Sequence, residues 1–289
     1  MWGLFGSSGF LGVDLGTAFK LAEVTESGFK TAKLKELDKS ALDDFSKRKV
    51  ATIINSDQVE IRFIDLAANL SEEEIEQMIE LEFTREDLVV QSEVVDFFEK
   101  KYAIAFAVER NLVEEKFSKL QEIGLKPRAI ETEFHANARY LTEEKPDLAE
   151  TVSLIDIGKK RTDLIIVKQS RLIFVRNFDF GGADITKRLA KRNDLSDSRA
   201  EEYKKEGVDD EDLKVVLEEL RSQIYSSIDY FQSRYKEEVE RLILTGGGSN
   251  FNGLHDYLEE QIGLPVERLA EPGFSVAKGL ALREKEEQQ

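Results

Sequence analysis

The sequence predicts an α/β fold in two similar halves, with a small α+β subdomain set into the first. A strand that runs into an Asp-x-Gly turn and doubles back occurs twice, at Asp14-Leu15-Gly16 and at Asp156-Ile157-Gly158. Residues 50–125 interpose strands and helices of a different character. The length of 289 residues exceeds what one hydrophobic core holds easily, so more than one lobe is expected.

Residues 10–17 read as a strand entering a tight turn, residues 18–24 as its returning partner and Thr25-Glu26-Ser27-Gly28 as the next turn. Residues 50–54 form an apolar strand, and Val59, Ile61 and Phe63 then alternate with Glu60 and Arg62 in another. Ser71-Glu72-Glu73-Glu74 is a capping box that opens a helix carrying Ile75, Met78, Ile79 and Phe83 on one face. Strands follow at 93–99 and 102–108, then a helix over 112–123 that Gly124 and Pro127 close. After Pro146 the hairpin pattern returns: strands at 152–158, 162–167 and 172–178, with Gly181-Gly182 leading into a helix. Residues 196–205 are helical and charged. A long helix then places Leu213, Leu217, Leu220, Ile224, Ile228, Phe231 and Tyr235 in a core-facing stripe. Residues 241–245 form a buried strand that runs into Gly246-Gly247-Gly248, and the polar tail 284–289 is expected to fray. The expected division is a first lobe from 1–49 and 127–150, an insertion over 50–126, a second lobe over 151–267 with helices around 186–237, and a C-terminal helix over 268–289 returning to the first lobe.

Composition narrows the function. Hydrophobic residues at 41% suffice for a packed core, while 41 basic against 58 acidic side chains leave a net charge of −17. That charge opposes a phosphate backbone or an anionic membrane, so no nucleic acid is expected as partner. With no cysteine and only His135 and His255, neither disulfides nor a dedicated zinc site is expected. No apolar run approaches the ~20 residues of a membrane span. The opening Met1-Trp2-Gly3-Leu4-Phe5-Gly6 lacks the basic and long apolar regions of a signal peptide, and a cytoplasmic location is expected.

Four segments carry chemistry. In Asp14-Leu15-Gly16-Thr17 with Lys20, glycine permits close approach of a phosphate, Thr17 offers hydroxyl and amide, Asp14 can hold Mg2+ through water and Lys20 neutralises phosphate charge. Asp156-Ile157-Gly158 with Thr162 and Asp163 is a second such turn, expected to face the first across a cleft. Glu201 and Lys204 share a helix face at i and i+3. Gly246-Gly247-Gly248 after a buried strand lets a flat base lie against backbone. Each has a plainer reading: a hairpin turn, a solvated ion pair, a glycine turn without ligand.

Their order carries more than any one of them. Phosphate hairpin, acidic connector, second hairpin, Glu-x-x-Lys helix and triple-glycine turn resemble the superfamily of actin, DnaK-type chaperones and sugar kinases along nearly the whole chain. The chain further resembles the PilM family of type IV pilus assembly proteins, relatives of the division protein FtsA. This likeness rests on Leu11-Gly12-Val13-Asp14-Leu15-Gly16; Gly124-Leu125-Lys126-Pro127 with Ile130-Glu131-Thr132-Glu133; Phe174-Val175-Arg176 with Gly181-Gly182; Ala200-Glu201-Glu202-Tyr203-Lys204; and Ala277-Lys278-Gly279-Leu280-Ala281-Leu282-Arg283.

The resemblance implies an actin-like (ribonuclease H-like) two-lobed ATPase fold with duplicated hairpin halves and an inserted FtsA-type α+β subdomain. It implies ATP and Mg2+ as cofactors. Asp14, Gly16, Thr17 and Lys20 would form the first phosphate site and Asp156, Gly158 and Thr162 the second, with Asp14 and Asp156 serving the metal. Glu201 and Lys204 would contact ribose and adenine, with Gly246, Gly247 and Gly248 under the base. Glu133 would orient a hydrolytic water as general base, and Glu131 stands nearly as well placed. Lys159, Lys160 and Arg161 stand where hydrolytic members carry glycines, and Ala18-Phe19 where small polar residues are usual, so binding with slow or absent hydrolysis is expected. The implied partner is the cytoplasmic N-terminal segment of a PilN-like inner-membrane protein, lying in a groove between insertion and first lobe. That partner would recruit the chain to the membrane face within the pilus assembly complex, with self-association possible. An FtsA-like division protein would end in an amphipathic membrane helix rather than Glu284-Lys285-Glu286-Glu287, and a sugar kinase would need a second small-molecule pocket that no cluster here suggests.

Overall fold

A computed structural model describes residues 9–16, 18–46, 48–97, 100–206 and 210–283. The chain divides into two compact units, residues 1–136 with 276–289 and residues 137–275.

The first unit opens with β1 (Leu11–Leu15), β2 (Phe19–Thr25), β3 (Gly28–Leu34) and β4 (Lys49–Ile54). There follow β5 (Glu60–Leu66), α1 (Glu72–Glu82), β6 (Leu88–Phe97), β7 (Lys100–Glu109), α2 (Arg110–Glu122), β8 (Lys126–Thr132) and α3 (Glu133–Glu144), within which the division falls. Five strands form one sheet in the order β3-β2-β1-β4-β8, antiparallel at the hairpin side and parallel from β1 through β4 to β8. Because strands alternate their side chains, β1 sends Leu11 and Val13 to one face and Gly12 to the other. On the first face they pack with Leu21, Leu42, Phe45, Val50, Leu120 and Leu125. The opposite face buries Phe10, Ala51, Ile53, Ala136, Val276 and Leu280.

A three-stranded sheet, β5-β7-β6, packs Ile64, Leu66, Ala103 and Ala105 against Ile75 and Ile79 of α1. The expected capping box is formed: Glu74 N–H donates to the Ser71 hydroxyl at 3.3 Å and Ser71 N–H to the Glu74 carboxylate at 2.8 Å. This small sheet begins only at β5. Strand β4, read from the sequence as the insertion's first strand, lies second from the edge of the five-stranded sheet, paired to β1 and β8. The reason is in the pattern: Val50-Ala51-Thr52-Ile53-Ile54 is continuously buried, as a parallel strand covered on both faces must be, and polar alternation starts after it.

The second unit holds β9 (Val152–Ile157), β10 (Thr162–Lys168), β11 (Arg171–Phe178), α4 (Gly182–Arg192), α5 (Asp197–Glu206), α6 (Asp210–Tyr235), β12 (Arg241–Thr245), α7 (Leu254–Ile262) and β13 (Val266–Arg268). Its sheet runs β11-β10-β9-β12-β13, again an antiparallel hairpin continued by two parallel strands. The strand order thus repeats that of the first unit, which makes the duplicated hairpin a duplicated sheet. All seven stripe residues of α6 are buried, and Phe231 meets Phe174 of β11 with ring centroids 5.7 Å apart. The chain then returns to the first unit as α8 (Ser275–Ala281). Among the described residues, no helix is long and apolar enough to cross a membrane.

Candidate functional site

In open α/β sheets ligands bind beyond the carboxyl ends of parallel strands, where loop backbone and helix starts gather. In the second unit those ends are Asp156-Ile157-Gly158 on β9 and Thr245-Gly246-Gly247-Gly248 on β12, adjacent in the sheet with Thr245 opposite Asp156. The two turns interlock tightly. Gly246 has φ +81°, and a Cβ there would stand 2.1 Å from Asp156 Oδ1; one at Gly248 would stand 2.4 Å from Ile157 Cγ2. A Cβ at Gly247 would meet nothing within 4 Å, so of the three expected to lie under a base this one faces open space.

The second phosphate turn is closed by backbone. Gly158 N–H donates to Arg161 O at 2.9 Å, and Gly182 N–H and Ala183 N–H, opening α4, donate to Gly158 O and Lys159 O at 2.9 and 2.8 Å. A Cβ at Gly181 would lie 2.7 Å from Lys159 O, which is why a glycine starts this helix. Thr162 is fully buried and spends its hydroxyl on Phe180 O at 2.7 Å, so it holds the turn's shape. Lys159 and Lys160 are exposed beside it, and Arg161 pairs with Asp179.

Lys204 is not a solvated partner of Glu201. It is 8% exposed and reaches inward, donating to Glu201 Oε2 at 2.7 Å, Thr186 Oγ1 at 2.9 Å and Gly182 O at 3.1 Å. A Cβ placed on Gly182 would be 3.6 Å from Gly158 O, 3.7 Å from Gly248 Cα and 3.8 Å from Lys204 Nζ. Three separately predicted segments therefore converge on one point. Thr186 was missed by the sequence reading; its spacing of four from Gly182 on α4 is the signal that could have found it. Burial works to raise the Glu201 carboxyl, but hydrogen bonds from Lys204 and Thr186 outweigh it and hold the group below its ordinary range.

A pH dependence follows, with its sign fixed by that lowering. The contribution of Glu201 to stability is whole above its ordinary value of 4.5 and is lost as pH falls through the lowered folded value. Its side chain is 44% exposed, so screening limits the term to under about 1 kcal/mol. Urea unfolding at pH 6 and pH 3 should show Glu201→Gln losing less stability on acidification than wild type; an equal loss would place the acid sensitivity elsewhere.

Asp156 accepts a 2.6 Å bond from Asn137 Nδ2 on α3. Asn137 is fully buried, and its Oδ1 has no partner among the described residues. The orphan acceptor thus lies on a residue that touches the carboxylate of the second turn. Nothing in the sequence distinguished Asn137 from any polar helix residue.

In the first unit the parallel ends are those of β1, β4 and β8. Asp14 is 3% exposed; its Oδ1 accepts from Gly16 N–H at 2.8 Å and its Oδ2 from Lys20 Nζ at 3.0 Å, across the hairpin register. The predicted carboxylate, glycine and lysine are thus brought together, while Thr17 lies outside the described residues. Glu133 opens α3 with Oε2 accepting from Ser56 N–H at 2.9 Å. Glu131, its near alternative, is buried against Arg283 at the end of α8. The two carboxylates the sequence left nearly equal therefore differ: Glu131 ties down the C-terminal helix, and Glu133 borders the loop after β4.

The family model of the type IV pilus assembly protein PilM matches residues 26–285. Among solved structures, the chain is similar to one from the PilM-PilN type IV pilus biogenesis complex, at 22% identity over 96% of this chain and 98% of that one, with a TM-score of 0.79. It is also similar to a Bacteroides thetaiotaomicron protein with an actin-like ATPase fold, at 13% identity over 95% and 96% of the two chains and a TM-score of 0.52. MreB5 of Spiroplasma citri, solved bound to ADP, shares 14% identity over 94% and 95% with a TM-score of 0.56. The expected actin-like fold is therefore the fold of this chain.

Proposed function

The chain belongs to the type IV pilus assembly protein PilM family, and from that premise we propose that it is an ATP-binding scaffold of pilus assembly that holds the cytoplasmic N-terminal segment of a PilN-like inner-membrane protein. The observation that carries the nucleotide part is the convergence of Lys204, Gly158, Gly182 and Gly248 beside the open Gly247. In the second unit, Asp156 and Gly158 serve phosphate, Thr162 supports their turn, Glu201 and Lys204 serve ribose and adenine, and Gly247 between Gly246 and Gly248 receives the base. In the first unit, Asp14, Gly16, Thr17 and Lys20 serve phosphate. Mg2+, when bound, would neutralise phosphate charge, and the carboxylates proposed to serve it through water are Asp14 in the first unit and Asp156 in the second. Glu133 is the proposed base for a slow hydrolysis, which the bulk and charge of Lys159, Lys160 and Arg161 disfavour.

For the partner, a groove of about 610 Å³ runs where the small sheet meets α2, with Val59, Leu88, Val108 and Leu112 giving apolar lining, Arg85 basic, and Asp57, Glu60, Glu109 and Glu115 acidic, the last three paired with Arg62, Arg85 and Lys119. Such a lining suits an extended segment that presents apolar side chains. A partner held there would bring the chain to the membrane face.

Calorimetric titration of the full chain, stripped of nucleotide, with Mg-ATP and then with the N-terminal peptide of a PilN-like protein tests both parts. Saturable binding of each is expected, with Leu112→Asp weakening the peptide roughly tenfold or more and leaving ATP unaffected. Absence of ATP binding sinks the nucleotide reading; peptide affinity unchanged in Leu112→Asp sinks the groove.

A further inference from the structure

Asn137 stands where packing alone would not choose an asparagine. It lies on α3 one turn before Leu141, on the same helix face, and both side chains are fully buried. Only one end of its amide is used. The nitrogen donates to Asp156 Oδ2 at 2.6 Å. A carboxylate accepts and cannot donate, so the nitrogen and not the oxygen must face Asp156. The buried oxygen is left without a hydrogen-bond partner among the described residues. An amide oxygen that has lost water and gained no donor destabilises a fold, whereas leucine, with the same branching, would not.

The neighbours of Asp156 say what the amide does there, and all of them belong to the second unit with Asn137. Across the hairpin, the residue directly opposite Asp156 is Asp163, 5% exposed, and carboxylates in opposed cross-strand positions repel. On the other side Thr245 of β12 is its register partner, and Asp156 Oδ1 lies where a Cβ on Gly246 would stand 2.1 Å away. The two carboxylate oxygens are therefore told apart. The Asn137 amide holds Oδ2 toward α3, and Oδ1 abuts the triple-glycine turn, so the group has one orientation against the repulsion from Asp163.

We propose that Asn137 is the positioning residue of the second phosphate turn: it fixes the Asp156 carboxylate for the divalent cation that accompanies a nucleoside phosphate, and the fold gives up stability to keep it. This rests on the nucleotide reading above and adds the group through which Asp156 is held. Asn137 touches neither nucleotide nor cation and acts through Asp156 alone.

The test is ATP calorimetry of the full chain, with Mg2+ and with EDTA, for wild type, Asn137→Leu, Asp156→Ala and the double variant, beside thermal unfolding without nucleotide. Asn137→Leu should unfold at the wild-type midpoint or a few degrees above it, the opposite of what a structural hydrogen bond predicts. Its gain in ATP affinity on adding Mg2+ should fall roughly tenfold or more, with affinity in EDTA changed by no more than about twofold. In the Asp156→Ala background the same substitution should change either affinity by no more than about twofold. Should leucine not seat at this buried position, Asn137→Ala reads the same loss with a smaller side chain. An Mg2+ gain equal to that of wild type in the Asn137 variants overturns the assignment. So does a loss of full size when Asp156 is already alanine, or a wild type with no Mg2+ gain to lose; all three leave the nucleotide reading standing. Wild type that binds no ATP in either buffer overturns both.

Discussion

Gly279→Ala is expected to cost the first unit most of its stability, although the substitution adds one methyl group. A Cβ at Gly279 would lie 1.8 Å from Ala136 O and 2.5 Å from Ala136 C, so α8 rests directly on the backbone of α3. From the other side, a Cβ on Gly12 of β1 would stand 2.0 Å from Ala277 O and 2.8 Å from Ala281 N. The helix is held between two backbones, and no rotamer change relieves either contact. Relief requires lifting α8, which uncovers Phe10, Ala51, Ile53, Ala136, Val276 and Leu280 and breaks the Arg283 pair with Glu131. Damage of this kind belongs to the uncommon class above about 4 kcal/mol, against a total of roughly 5–15 kcal/mol for a native domain. The thermal midpoint should fall by about 10 °C or more, and Gly12→Ala should do nearly the same. Gly273→Ala, where a Cβ meets nothing within 4 Å, is the control and should stay within about 2 °C. A Gly279→Ala midpoint as high as that control would mean α8 is not seated on α3.

That contact also explains why parts of the fold were legible in the sequence. Leu11-Gly12-Val13 and Ala277-Lys278-Gly279 stood out as separate motifs far apart in the chain, and they are two halves of one backbone contact. The stripe on α6 was legible because burial on one helix face has a period, and all seven of its residues are buried. The hairpins were legible because Asp-x-Gly turns demand particular residues. What stayed hidden has no local signature. Strand β4 was placed in the insertion because the apolar run Val50-Ala51-Thr52-Ile53-Ile54 marks a strand covered on both faces but does not name its neighbours, β1 and β8, which are distant in sequence. The depth of Lys204 was hidden for the same reason. A Glu-x-x-Lys pair looks alike on any charged helix, and only α4, bringing Gly182 and Thr186 beneath it, draws the ammonium inward. Asn137 owes its position beside Asp156 wholly to tertiary packing.

The triple glycine separates fold from function within three consecutive residues, and there the second large effect is expected. Gly246→Ala forces a side chain onto a residue at φ +81° and ψ 163°, with its Cβ 2.1 Å from Asp156 Oδ1 and 2.5 Å from Ile157 O. Strain and overlap together should cost on the order of 4 kcal/mol or more, and the affected group is the carboxylate at the centre of the second turn. Gly247, one residue on, has open space where its Cβ would stand. Gly247→Ala should change stability by less than about 1 kcal/mol, and Gly247→Arg should fold as well, since its side chain extends away from the interlocked turns. If a nucleotide base lies over that opening, Gly247→Arg fills its place and ATP affinity should drop at least a hundredfold while the thermal midpoint without nucleotide stays near wild type. Urea unfolding and ATP calorimetry on the three variants separate the outcomes. A Gly247→Arg protein that folds and binds ATP as wild type does would move the base away from this turn. A Gly246→Ala protein as stable as wild type would mean the two turns are not interlocked, and the geometry that gathers Lys204, Gly158 and Gly248 would lose its support.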